Sequence, residues 1–492
     1  MSFSVISVFS VISVKLTEIC LFCIFCVLSF SANLCFLHFL QTEQFSAKLN
    51  ENRNENSQSI LFCGIIAAVN KTQDKSQEKL PCDPERYGMS NRATIKLKKG
   101  EGRYLKAGGA WIFDNEIDAC LGSYENGDVV NVTDFDDYPL GTGYINDNSK
   151  IRIRMLSRKP DAVIDDAFFC ERLQAAWEYR KCVLAPADLS ACRIVFGEAD
   201  FLPGITIDKY EDILVVESLA LGIDCYKDRI CELLISILKK DGIQVRGVFE
   251  RSDARERKKE GLPIRKGFLI GSFDPQIEIT ENGIRYLVDV ENGQKTGFFL
   301  DQKYNRLAMQ RICKGKKVLD CFTHMGTFAL NAGYGGAKSV LGLDISEFAI
   351  TQARENAVRN HLEDTVSFRV ANVLDELPRL AGEGESYDVV ILDPPAFTKS
   401  REATKQAVKG YREINRQGLR LVKDGGFLAT CSCSHFMTQE LFVKTVKEAA
   451  RSAHKRLRQV EARTQAPDHP ILWAADESFY LKFYIFQVVE DK

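Results

Sequence analysis

The sequence predicts a multidomain α/β protein whose C-terminal half is a doubly wound, mostly parallel sheet. Three observations predict it. Five apolar, β-rich runs, at 317–321, 339–344, 366–370, 387–393 and 426–431, are separated by stretches long enough for crossover helices. Two of these runs end in chemically loaded strings, Leu392-Asp393-Pro394-Pro395-Ala396-Phe397 and Thr430-Cys431-Ser432-Cys433-Ser434. The first half of the chain lacks this alternation: glycine-broken short strands predict a small β-barrel over 94–157, and mixed strands and helices predict an α+β block after it.

The chain has 492 residues, which at roughly 150 residues per domain accommodates about three domains. Apolar residues make up 45% and charged residues 27%, the balance of an ordinary globular protein. A net charge of −2 excludes a global basic field, so any nucleic-acid binding must rest on local patches. The domain boundaries read as an extension over 1–88, a barrel over 89–160, an α+β domain over 161–282 and the doubly wound domain over 283–492. The extension is foreign to the rest: 19–42 carries no charged residue and is rich in Leu, Phe and Cys. The change of character at Met89 marks it as the expected native start, with the upstream residues a gene-model artefact. The alternatives are a membrane anchor or a transit segment, and scarcity of Arg opposes the latter. No membrane segment is expected over 89–492. Ten of the 16 cysteines follow Met89 without metal-ligand spacing, so free thiols, no metal site and a reducing cytoplasm are expected.

In the barrel segment Lys96, Lys98, Lys99, Arg103, Lys106, Arg152, Arg154 and Arg158 are either a solvated face or an RNA-backbone patch. Residues 165–181 have helical spacing, strands are expected at 191–196, 213–219 and 244–249, and a helix at 226–239. The charged run Arg251 to Lys259 reads as a wet helix or a phosphate contact. In the C-terminal half, Ser346 is a helix N-cap candidate, a helix is expected over 438–455, and 479–488 is expected to close the sheet edge.

In an open α/β sheet, ligands collect at the carboxyl ends of the strands. A strand ending in Asp320 runs into a turn with Phe322 and the single glycine Gly326, then a helix, so its backbone can approach a nucleoside. It is not the dinucleotide fingerprint, since a second loop glycine is missing. Asp344 ends the next strand, where an acid can bind ribose hydroxyls, and Asn372 follows the third, where it can read adenine. Three such residues in register predict S-adenosylmethionine as cofactor. Cys433 and Asp393 predict what is methylated. Carbon 5 of a pyrimidine is a poor nucleophile; a thiolate adding to carbon 6 turns the ring into an enamine and activates it. The base must first leave its stack. Asp393 can then hydrogen-bond the ring N3 or the exocyclic amine. Asp-Pro-Pro also occurs in adenine amino-methyl transfer, where an aromatic follows Pro-Pro directly, but here Ala396 intervenes before Phe397.

These residues resemble the class I S-adenosylmethionine-dependent ribosomal RNA methyltransferases that make 5-methylcytosine in large-subunit (23S-type) RNA. The likeness runs from Ser90 to the C-terminus. It includes Phe201-Leu202-Pro203-Gly204, Arg251-Ser252-Asp253, Lys295 to Gln302, Asp393 to Phe397, Gly410-Tyr411, Ser432-Cys433-Ser434 and Ala466 to Pro470. The resemblance implies a PUA-type RNA-binding barrel, a central α+β domain and a Rossmann-like catalytic domain acting on ribosomal RNA. It places the nucleophile on Cys433, with Cys431 second. It also puts the strand and turn expected at Thr296 to Gln302 against the cofactor, with Gln302 near its methionine end. His324-Met325 and Asn372 depart from the family pattern. His469 is either part of a rigid turn or turned to the site. A homodimer remains open. The competing readings are amino-group or small-molecule methylation, and a catalytically silent RNA-binding protein.

Overall fold

The computed structural model describes residues 92–398 and 400–490. The expectations for 1–88, including the start at Met89, lie outside the described residues. The barrel segment forms strands β1 (Thr94–Leu97), β2 (Trp111–Phe113), β3 (Ile117–Leu121), β4 (Val129–Thr133), β5 (Pro139–Ile145) and β6 (Ile151–Ser157), with a short helix α1 (Arg103–Lys106). They pair as one sheet in the order β2-β6-β5-β4-β1-β3. Alternation turns Ile95 and Leu97 inward, where they meet Leu105, Ile112, Val130, Val132, Ile145 and Ile153. Strands β5 and β6 approach so closely that a Cβ on Gly141 would lie 2.1 Å from the Ser157 carbonyl oxygen, which explains that glycine.

Helix α2 (Asp166–Val183) follows, capped by the Asp165 side chain, which accepts from Phe168 N. It lies on a five-stranded sheet of β7 (Ala191–Phe196), β8 (Ile205–Tyr210), β9 (Ile213–Ser218), β10 (Gly247–Ser252) and β11 (Arg265–Ile270). Between β9 and β10 run the short α3 (Leu221–Asp224) and α4 (Lys227–Lys240). Ile230, Leu234, Ile237 and Leu238 of α4 and Phe169, Leu173 and Trp177 of α2 fill one core with the sheet. The charged run after β10 is a 3-10 helix, Arg255–Glu260, that is wet only in part: Arg255, Glu256, Lys258 and Lys259 are exposed. Arg257 is buried, donating to Asp224 and to the carbonyls of Ser218 and Pro263, and Arg251 donates to the carbonyls of Val290 and Gly293.

A hairpin of β12 (Gln276–Glu281) and β13 (Ile284–Asp289) turns at 282–283, the position at which the sequence reading divides two domains. Its apolar face shares one core with both neighbours: Ile279, Tyr286 and Val288 pack with Tyr210 and Phe249 on one side and Phe328 and Ile350 on the other. Then come α5 (Lys303–Cys313), β14 (Lys317–Cys321), α6 (Thr327–Tyr334), β15 (Ser339–Asp344), α7 (Glu347–Arg359), β16 (Val366–Val370), α8 (Val373–Gly382), β17 (Tyr387–Leu392), α9 (Thr404–Leu421), β18 (Val422–Ser432), α10 (Gln439–Ser452), β19 (Lys455–Arg463) and β20 (Lys482–Glu490). The seven-stranded sheet has the order β16-β15-β14-β17-β18-β20-β19, parallel through β18 and antiparallel beyond. The edge is therefore β19, not the C-terminal strand. The polar alternation of Lys455 to Arg463, exposed on one face, hid that strand from periodicity.

Buried ion pairs set the turn between the hairpin and α5. Arg306 of α5 donates to both carboxylate oxygens of Glu281, at 2.6 and 2.8 Å, and to the Phe299 carbonyl at 2.8 Å. Both side chains are out of solvent, so removing one leaves the other charged and unpaired. Glu281→Ala is expected to cost on the order of 3–5 kcal/mol of unfolding free energy in urea titration, whereas Glu461→Ala at the more exposed pair with Arg311 is expected to cost less than about 1 kcal/mol.

Candidate active site

Strands β14, β17 and β18 run parallel and stop at one rim, which brings residues distant in sequence together. Asp393 is the first residue after β17, and its backbone N–H donates to the Cys321 carbonyl at 3.3 Å. Its carboxylate is half-buried. Oδ1 accepts from the Cys431 thiol at 2.9 Å, and both oxygens lie 3.3 Å from the Gln302 amide nitrogen. Gln302 is itself oriented by Asn305, which donates to its Oε1 at 2.6 Å. Burial, with the like charge of Asp301 adding to it, raises Asp393 to about 6.

Cys431 and Cys433 are two residues apart at the end of β18 and so share a face. Cys431 is buried and Cys433 half-buried, and both carry free thiols. The flanking serines point the other way. Ser432 donates to the Tyr411 hydroxyl of α9 at 3.0 Å, and Ser434 Oγ lies 3.1 Å from the same hydroxyl. From β20, Lys482 Nζ donates to the Ser434 carbonyl at 2.7 Å and the Tyr480 carbonyl at 2.8 Å. The Cys433 turn is thus held from both sides. Burial pushes the Cys433 thiol up to about 11; Asp393 adds to the rise and the Lys295 ammonium opposes it. Cys431 goes further up, driven by burial and then by Asp393. Burial lowers Lys482 to about 8, against the favourable field of the two sulfurs. Lys482 was missed in the sequence, although a lone lysine inside the apolar run Phe479 to Val488 was a readable signal.

A second group lies along β14, β15 and β16. Asp320 is buried. Its Oδ2 accepts from the Thr323 hydroxyl at 2.5 Å and from Ala329 N at 2.9 Å, and Oδ1 has no hydrogen-bond partner. Burial raises this carboxyl to about 8. The turn after it holds Phe322 and His324 at φ of 65° and 51° and Gly326 at 85°. A Cβ on Gly326 would come within 2.8 Å of the Phe368 ring, so packing beneath the turn, besides φ, demands this glycine. The backbone N–H groups of His324 and Ser346 both donate to Asp344, at 2.9 Å. Burial lowers His324 to about 4, so its ring is neutral. Asn372 is exposed and caps α8, accepting from Leu374 N and donating to Asp375, so its side chain is already engaged.

Strands β15 and β16 leave the sheet side by side, with Ala371 N donating to the Asp344 carbonyl at 2.8 Å. Around this exit Ile345 is 70% exposed, Leu374 50% and Val370 44%. Folding gives no reason for three apolar side chains to face solvent beside an acid. An adenosine does: the ring covers apolar surface and the carboxylate accepts from ribose hydroxyls. The residues present therefore fit S-adenosylmethionine.

Two expectations for the 296–302 segment are corrected. It is not a strand: its only regular element is a 3-10 turn at Leu300–Gln302. Thr296 does not face the cofactor side. Its buried hydroxyl donates to Asp208 at 2.6 Å, in the central domain. Gln302 meets Asp393 as described. His469 belongs to a rigid turn. It is buried, 3.0 Å from the Asp468 carboxylate, which in turn accepts from Arg193 N. Of the eight barrel cations, Lys98, Lys99 and Arg103 are exposed and four others are ion-paired. Arg154 is buried against Glu260, and Lys96, Lys106 and Arg152 pair with acids of their own domain.

Comparison with known proteins agrees with this geometry. Residues 266–486 match the family model of S-adenosylmethionine-dependent methyltransferases, and residues 95–158 match a PUA-like domain. Two curated relatives carry the name ribosomal RNA large subunit methyltransferase I. One, from Shewanella amazonensis, is 39% identical and covers 80% of this chain and 99% of its own; the other, from Alteromonas mediterranea, is 37% identical and covers 81% and 100%. Among solved structures, a proposed SAM-dependent methyltransferase from Streptococcus mutans aligns at TM-score 0.67 with 22% identity, over 80% of this chain and 99% of its own. A second such structure, complexed with SAH, aligns at 0.68 with the same identity and coverage. These structures share the fold, and S-adenosylmethionine is the cofactor of the matched family.

The charges around Cys433 generate a test. Removing a like charge must lower its pKa, and removing a counter-charge must raise it. The rate of iodoacetamide alkylation at the Cys433 peptide, followed by mass spectrometry, is expected to titrate near 11. Asp393→Asn should move the inflection down and Lys295→Ala should move it up, while buried Cys431 stays unlabelled. Coincident inflections in all three proteins would contradict the arrangement.

Proposed function

This chain belongs to the family of ribosomal RNA large subunit methyltransferase I, and we propose that it forms 5-methylcytosine in large-subunit ribosomal RNA through a covalent adduct on Cys433. The observation that carries the reading is the half-buried thiol of Cys433 beside the carboxylate of Asp393 at the rim of the cofactor-binding sheet. The site's architecture supports a nucleophile that is positioned by others. Tyr411 and Lys482 fix the Ser-Cys-Ser turn, and Gln302 and Cys431 fix Asp393.

In this mechanism the target cytosine is turned out of its stack into the rim. The Cys433 thiolate adds to carbon 6 while N3 takes a proton from Asp393, whose raised pKa lets it carry one near neutrality. The ring is then an enamine, with carbon 5 nucleophilic. S-adenosylmethionine, when bound, supplies the electrophilic methyl group. A base then removes the carbon 5 proton, the carbon 6–sulfur bond breaks and N3 returns its proton to Asp393, restoring the thiolate, the acid and the aromatic ring. Asp344, with Ile345, Val370 and Leu374 around it, would hold the adenosine part. Phe322, Gly326 and Asp320 line the turn beside it, Asn372 borders the adenine end, and Gln302 reaches toward the methionine end.

Amino-group methylation would use the aromatic after Asp-Pro-Pro as a stacking platform. Phe397 instead packs against Tyr411, with ring centroids 4.7 Å apart, and closes on Gly410, which argues against that chemistry. Among the described residues no helix is long and apolar enough to cross a membrane.

Cys433→Ala is expected to lower methyl transfer to ribosomal RNA by more than about a thousandfold while leaving cofactor binding, read by calorimetry, within about twofold. Cys431→Ala should retain turnover. Activity in Cys433→Ala, or its loss only in Cys431→Ala, would overturn the assignment.

A further inference from the structure

An open cavity of about 660 Å³ lies away from the catalytic rim. It lies between the end of the barrel, helix α2 and the turn Ala199 to Phe201. Phe201 stands at its edge, 55% exposed, with φ of 59°. The left-handed region is one that phenylalanine rarely adopts and glycine adopts freely. Opposite it, the Arg172 guanidinium lies 4.4 Å from the Phe168 ring and 5.7 Å from the Phe201 ring. It is held there by donating to the Leu156 carbonyl at 2.6 Å. A cation thus sits between two aromatic faces, and one of those faces is open to solvent.

The other polar groups narrow the occupant. Asp165 and Asp200 are committed to capping α2 and to Arg180. Glu171 is exposed beside Arg172 and can accept from an exocyclic amine. Lys159, on the barrel side, is the only other cation of the lining. A phosphate chain would want more positive charge, whereas a flat ring with amine edges matches aromatic, guanidinium and carboxylate together. One short loop, 466–470, links the cavity to the catalytic rim by its contacts. Pro470 lines the cavity, Tyr179 donates to the Pro467 carbonyl, and Ala466 N donates to the carbonyl of Asp301, whose charge acts on Asp393 and Cys433.

We propose that this cavity is a nucleobase subsite that stacks an unpaired base of the RNA substrate on Phe201 and Arg172, near the nucleotide that enters the catalytic rim. The proposal rests on the reading of RNA as substrate. It is tested with the full chain, protein-free large-subunit ribosomal RNA and a single-stranded oligonucleotide carrying 2-aminopurine. Phe201→Ala should raise the KM for ribosomal RNA about tenfold, with kcat and the KM for S-adenosylmethionine changed less than about twofold. It should also abolish the fluorescence quench that the wild type produces in the oligonucleotide. Phe201→Tyr should restore both, and Arg172→Lys, which keeps the charge but not the plane, should weaken both. An unchanged KM and unchanged quench in Phe201→Ala overturn the subsite. Failure of the wild type to methylate the RNA overturns the methylation reading instead, and the quench then decides the subsite alone. Because Phe201 is exposed, equal melting temperatures separate these outcomes from misfolding.

Discussion

The site depends on one desolvated contact: the Asp393 carboxyl held between the Cys431 thiol and the Gln302 amide. Withdrawing a carboxylate from water disfavours its charge, and here only two weak donors offset the loss. The consequence is an acid near 6 at the place where a pyrimidine N3 would arrive. The same desolvation makes the neighbouring sulfur a poor nucleophile at rest, at about 11. In the proposed mechanism substrate entry therefore supplies part of the activation. A base that takes a proton from Asp393 and brings its own electron-poor ring alters both groups at once.

That contact holds only if the central and catalytic domains are locked together behind it, and the locking is ionic. Arg180 of α2 pairs with Asp200 and also donates to the Asp468 carbonyl. Arg193 of β7 pairs with Asp208, which also receives Thr296. Arg306 ties Glu281 to the Phe299 carbonyl. Each pair ends on a segment that borders the rim, either 464–470 or 295–302. Breaking a buried pair costs far more than forming it gains, so these residues give geometric definition more than net stability. They also explain why Thr296 looks inward: it belongs to the joint, and Gln302, six residues on, to the chemistry.

Much of this was legible in the sequence. The five parallel strands fall within a few residues of their expected positions, because buried strands read as continuous apolar runs and the turns after them carry acids. Asp393, Cys433, Asp320 and Asp344 lie at strand ends as the sequence placed them, for the same reason: topology fixes the carboxyl ends of strands as the ligand rim. What stayed hidden was set by contacts between distant residues. Arg154 looked like an RNA contact until Glu260, 106 positions away, was found to neutralise it. Lys482 gains its role from the fold of Ser434 across β18 and β20. The hairpin β12–β13 was missed because its strands are short and interleave polar or charged residues with apolar ones, and β19 because it is largely polar. Periodicity reports one face of one element and says nothing of its partner.

The most direct measurement is to incubate the protein with S-adenosylmethionine and 5-fluorocytosine-containing ribosomal RNA, digest it, and locate the nucleotide-modified peptide by mass spectrometry. Fluorine at carbon 5 blocks the final elimination, so the covalent species accumulates. A methylated fluoropyrimidine bonded to the Cys433 sulfur is the predicted result. An adduct on Cys431, or efficient methylation of unsubstituted RNA with no adduct on either sulfur, would contradict the account.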